Sequence, residues 1–83
     1  MGKSEKILAD ILSGRKDQPI RFTELVHLLG KLGFTGRVKG GHHIYWRDGV
    51  EEILNLQPLG SQAKPYQVKQ VRNLIIKYHL EAI

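Results

Sequence analysis

The stretch Phe34-Thr-Gly-Arg-Val-Lys-Gly-Gly-His-His-Ile-Tyr-Trp-Arg-Asp-Gly-Val-Glu-Glu-Ile-Leu-Asn-Leu-Gln57 decides the fold. Two turn signals divide it. Gly40-Gly41 separates a strand-like run over Phe34 to Lys39 from a second over His42 to Arg47, and Asp48-Gly49 separates that from a third over Val50 to Gln57. Asp-Gly between two β-favouring runs is a strong hairpin signal, because a type I′ turn needs positive φ at both central residues. The second and third strands are therefore expected to be antiparallel neighbours, in a sheet of three.

Helical patterns flank this core. Upstream, Phe22, Leu25, Val26, Leu29 and Leu32 form one stripe of a helix from about Phe22 to Leu32, with Glu24 favouring its N-terminal dipole and Gly33 placed to end it. His27 falls off that stripe and reads as a surface or half-buried residue. Downstream, Pro58 to Lys64 is a loop, and Pro65 opens a helix whose stripe is Val68, Val71, Leu74, Ile75 and Tyr78. Further towards the N-terminus, Ile7, Leu8, Ile11 and Leu12 mark a short helix with Ser4 as its N-cap, ended by Gly14. A polar connector with Pro19 then interrupts the chain. The expected architecture is α+β: a three-stranded antiparallel sheet with two helices on one face, in the order α-β-β-β-α, preceded by an extra N-terminal helix. The division is residues 1–19 as helical extension and connector, and 20–83 as the αβββα domain.

Composition narrows the function classes. Eighty-three residues, 41% of them hydrophobic, enclose one small core. The absence of cysteine rules out a disulfide framework and a cysteine-ligated zinc. No apolar run approaches the roughly 20 residues that span a bilayer, and Met1-Gly-Lys-Ser-Glu-Lys-Ile7 leads into a helical pattern rather than a signal-peptide core. The expectation is a cytoplasmic protein without a membrane partner. Thirteen basic residues against eight acidic give a net charge of +5, the footprint of a nucleic-acid binder, since Lys and Arg contacts to phosphate release counterions. An acidic protein partner suits the same charge.

Chemistry concentrates in Arg37-Val-Lys-Gly-Gly-His-His-Ile-Tyr-Trp-Arg47. Imidazole exchanges protons readily near neutral pH, and Lys or Arg stabilises charge developing on phosphate. RNA supplies its own nucleophile in the 2′-hydroxyl, so proton transfer plus positive charge suffices for cleavage and no metal or cofactor is required. Strand alternation puts His42 with Ile44 and Trp46, and His43 with Tyr45 and Arg47, on opposite sides. If Ile44 and Trp46 face the helices, a regular strand turns His42 inward, unless a bulge after the glycines redirects it. Tyr45 and Trp46 read as packing residues, with base stacking the alternative. Adjacent strand histidines point apart and do not chelate one metal, so no metal site is expected. Lys69, Arg72 and Lys77 form the solvated face of a helix, and Lys69 with Arg72 equally suits an RNA groove.

Gly40-Gly41-His42-His43-Ile44-Tyr45 resembles the Gly-Ser-His-His-Ile-Phe type motif of HicA toxins, the RNA-cleaving members of HicA-HicB toxin-antitoxin systems. Glu52-Ile-Leu-Asn-Leu-Gln-Pro58 and Lys64-Pro-Tyr-Gln-Val-Lys-Gln-Val-Arg72 are similar to the third strand and closing helix of one branch of that family. Together these cover about Ile20 to Tyr78. The chain departs from the pattern at Gly41, where many relatives carry serine.

The resemblance implies a fold like that of double-stranded-RNA-binding domains and a ribosome-independent, metal-independent mRNA interferase. It further implies a protein that is monomeric alone and forms a hetero-oligomer with a HicB-like antitoxin. It favours His42 as the catalytic general acid or base, with His43 the alternative. The RNA-binding set expected around it is Arg37, Lys39, Gly40, Gly41, Arg47, Lys64, Lys69 and Arg72. A non-catalytic RNA-binding module shares the fold class and the charge without needing the histidine.

Overall fold

A computed structural model describes residues 3–14 and 20–82. The elements run α1 (Lys3–Ser13), α2 (Phe22–Lys31), β1 (Thr35–Lys39), β2 (His42–Arg47), β3 (Val50–Leu56) and α3 (Pro65–Tyr78). The three strands form one antiparallel sheet in the order β1-β2-β3, so β2 is central and β1 lies at an edge. The expected α+β architecture is present, with α1 as the additional helix. Ser4, expected to cap α1, lies within its first turn, because the helix begins at Lys3. The connector expected over 15–19, including Pro19, lies outside the described residues.

The helix layer buries one side of the sheet over β2 and β3, while β1 is exposed along its length. Tyr45 on β2 and Leu54 and Leu56 on β3 are buried, together with Phe22, Leu25, Leu28 and Leu29 of α2, Leu32 after it, and Val71, Leu74 and Ile75 of α3. The phase of β2 is set by Gly36, which stands opposite Tyr45 on the same face. A Cβ built on Gly36 would lie 2.2 Å from Tyr45 Cε1, so only glycine leaves room for the ring to lie across β1. Burial also raises the Tyr45 phenol above its ordinary value, as a desolvated hydroxyl requires.

The helices match the expected spans closely, with two informative differences. Leu28, absent from the expected α2 stripe, is fully buried, because α2 is covered both by the sheet and by α1. Ile7 and Ile11 of α1 join the same core. Arg72 Nε donates to the Ile11 carbonyl at 2.7 Å, an acceptor near the C-terminus of α1 that also receives the Gly14 N–H at 3.3 Å. Gln67, also absent from the expected stripe, is fully buried in the first turn of α3, and its Oε1 accepts from the Lys64 N–H at 3.4 Å.

The turns differ in kind. At Gly40-Gly41 only Gly40 has positive φ, at 61°, which is the type II′ pattern. At Asp48-Gly49 only Gly49 does, at 86°, so the expected type I′ turn is not formed. An unprimed turn matches strand twist poorly. The register break between Tyr45 and Arg47, beside that turn, takes up the mismatch.

α3 is tied to the start of β3 through Glu52. Tyr78 Oη donates to Glu52 Oε1 at 2.5 Å and Lys77 Nζ to Glu52 Oε2 at 2.8 Å, while the Glu51 N–H donates to Tyr78 Oη at 3.3 Å. The hydrogen bond from Lys77, then that from Tyr78, holds the Glu52 carboxyl below its ordinary value of 4.5. Because the folded-state value is depressed, the stabilisation is present above the unfolded value and is lost as pH falls through the folded one.

Gly36→Ala should cost roughly 1–3 kcal/mol by overpacking against a buried ring, seen as a lower urea midpoint with little change in slope. Glu52→Gln should lower the thermal midpoint at neutral pH yet converge on the parent protein under acid conditions; a constant difference across the titration would contradict the assigned ion pair.

Candidate functional site

The site forms where β1 turns into β2. With Tyr45 committed to the helix side, alternation sends His42, Ile44 and Trp46 to the open face, and the first and last of these are exposed. The conditional expectation that Ile44 and Trp46 face the helices is thereby overturned: the space over Gly36 draws Tyr45 inward instead. His42 reaches solvent without a bulge at the strand's start, since the irregularity lies at the opposite end. Trp46, read from the sequence as a packing residue, stands on the uncovered face.

The neighbours of His42 are read from the register. Lys39 is directly opposite His42, and Arg37 is directly opposite Ile44, so both cations share its face. On the other side Asn55 is opposite Ile44, and its Oδ1 lies 3.2 Å from His42 Nδ1. An amide oxygen only accepts, so this contact places the ring proton on Nδ1 and leaves the Nε2 lone pair available to take a proton. A carboxamide from β3 thus selects the tautomer of an exposed histidine whose other flank, on β1, carries two cations. The arrangement can accept a proton at Nε2 and bind an anion next to it.

His43 does something different. It stands opposite Leu56 on the helix side, half-buried, with its ring edge-on to Phe22 at 4.7 Å between centroids and 71° between planes. Its neighbourhood is packing, not an anion site.

The remaining expected residues divide by position. Gly40 forms the turn, and Gly41 has room: a Cβ there would meet Gln57 Nε2 at an ordinary 3.6 Å, so the serine of the family pattern would fit. Lys64 caps α3, whose other end bonds to Glu52; α3 therefore runs back along β3, and Lys64 lies at the end of the sheet where β2 begins. Arg21, which the sequence reading missed, joins this end: it bridges to Gln62 just before α2, and Phe22 N–H donates to Ser61 O at 3.0 Å. Arg47 is not brought to His42. It is about 17 Å along the strand, on the helix side, with its Nε 3.2 Å from where a Gly33 Cβ would stand. Lys69 is exposed on α3, in the layer behind the sheet, and Arg72 is engaged with α1.

Asn55 was also missed, although a signal existed. In β3 Leu54 and Leu56 alternate with Ile53, Asn55 and Gln57, so once the leucines are assigned to the core, Asn55 must share the outer face with even-numbered β2 residues. Among the described residues no three His, Asp or Glu side chains are grouped as metal ligands would be, and no helix is long and apolar enough to cross a membrane. Set against models of known families, curated proteins and solved structures, the chain matches none.

Replacing Asn55 with alanine should shift the His42 ring towards the Nε2–H tautomer, visible in its imidazole nitrogen chemical shifts, without altering the thermal midpoint by more than about 1 kcal/mol in stability. Unaltered tautomer populations would show that Asn55 does not hold the ring.

Proposed function

We propose that this chain is an endoribonuclease of HicA-like toxin type, a metal-independent mRNA interferase with His42 as its proton-transfer group. The observation that carries the reading is the His42 ring itself: exposed on the open face, held at Nδ1 by Asn55, with Lys39 and Arg37 on the same surface. In the proposed reaction the RNA 2′-hydroxyl gives its proton to His42 Nε2 as the 2′-oxygen attacks the adjacent phosphorus. The bond from phosphorus to the 5′-oxygen breaks, and that oxygen leaves with a proton from solvent. The products are a 2′,3′-cyclic phosphate and a 5′-hydroxyl. Lys39 and Arg37 offset the charge that builds on the phosphoryl oxygens. DNA, lacking the hydroxyl, would be bound and not cut.

A HicB-like antitoxin that presents acidic groups to Arg37 and Lys39 would cover His42 and silence the enzyme. The basic face alone equally supports a non-catalytic RNA-binding module of double-stranded-RNA-binding type, and the two readings part at His42.

Induced in cells, the parent protein should arrest growth with loss of intact mRNA. His42→Ala should reduce cleavage by about 10²–10⁴-fold, the range for loss of a general acid or base, while keeping RNA affinity. His43→Ala should cost about 1 kcal/mol of stability from the lost ring contact and still cleave. Binding without cleavage by the purified parent protein would leave the binding-module reading; undiminished cleavage by His42→Ala would remove His42 from the mechanism.

A further inference from the structure

The open face of the sheet has a polarity that the cleavage reading does not use. Three rows cross it: Lys39 and His42 at the turn end, Arg37, Ile44 and Asn55 in the middle, and Thr35 and Trp46 at the far end with Ile53 beside them across the register break. Cations and the histidine occupy one end. An aromatic ring and an exposed aliphatic side chain occupy the other, with Trp46 38% and Ile53 64% accessible. Tryptophan is usually well buried in a chain that can cover it. Among the described residues no other ring and no cation packs on its face. Glu51, exposed on the same side of β3, is the one acidic group on this face among the described strand residues, and its charge disfavours a phosphate backbone at the Trp46 end.

Resting on the proposed cleavage of RNA at His42, we infer that Trp46 is a stacking platform for an unpaired base, which makes single-stranded RNA the substrate. The chemistry demands an unpaired strand. Attack by the 2′-oxygen needs that oxygen, the phosphorus and the departing 5′-oxygen in line, and the regular A-form backbone of a duplex holds them out of line. A nucleotide freed from a helix loses its stacking neighbours and gains by finding another π-surface. Apart from His42 itself, Trp46 is the one ring on this face among the described residues, about 13 Å from His42 along the same side of β2. Backbone over Arg37 and Lys39 with a base over Trp46 satisfies both ends of the surface at once, and Ile44 forms the apolar floor between them.

The chain contains a single tryptophan, so its emission reports on Trp46 alone. The test titrates the unmodified protein with an unstructured RNA of about eight nucleotides, blocked against cleavage by 2′-O-methylation, and in parallel with a matched duplex and with inorganic polyphosphate. Binding is followed separately by the anisotropy of end-labelled RNA. The single strand should quench Trp46 emission about twofold, whereas duplex and polyphosphate bind with little quenching. Trp46→Ala should weaken single-strand binding about tenfold and Trp46→Phe much less, both with native circular dichroism. Bound single-stranded RNA with unchanged emission, together with unaltered affinity in Trp46→Ala, overturns the platform, leaves RNA binding intact and gives the apolar end to a protein partner. No binding of any RNA overturns the cleavage reading and this inference together.

Discussion

The contact on which the rest depends is the Tyr45 ring lying across Gly36. β2 is the central strand, and a strand has only two ways to face. With Tyr45 accommodated on the helix side, His43 and Arg47 follow it inward, and His42, Ile44 and Trp46 must emerge on the other face. A side chain at position 36 would remove the space that decides this phase. Packing and chemistry are therefore coupled through one missing methyl group: the glycine that lets the core close is also what presents His42 to solvent.

The same phase explains why two adjacent histidines have separate roles. His43 is carried to the start of α2, where it meets Phe22, and helps join the sheet to the helix layer. His42 is carried to Asn55 and Lys39, among polar groups with no core to fill. The first turns of α2 and α3 gather behind this end, linked by Phe22 N–H to Ser61 O and Ala63 N–H to Ile20 O. Their aligned peptide dipoles add partial positive charge to that of Lys39, Arg21 and Lys64. The opposite end of the helix layer carries the Glu52–Lys77–Tyr78 network, which ties α3 to β3 well away from the histidine.

α1 changes what the helices are for. Arg72, placed by charge among nucleic-acid contacts, instead bonds to a backbone acceptor near the end of α1, and Leu28 is buried on a side of α2 that a two-helix layer would leave wet. Arg47 is likewise turned to packing, over Gly33. Each of these residues has the composition of a binding site and the position of a structural one, a distinction that charge counting along a sequence does not make.

The amino-acid sequence by itself determined the elements and their order, because turn residues, apolar periodicity and the Pro65 helix start are local properties that act within a few residues. It also placed Lys39, Gly40, Gly41 and His42 together, since a two-residue turn keeps its flanks adjacent. Which face His42 occupies, that Asn55 holds its ring, and that Trp46 shares its surface were decided only in the tertiary structure. Those facts follow from register and from the fit of Tyr45 over Gly36, and such contacts join residues from separate strands that no local pattern connects.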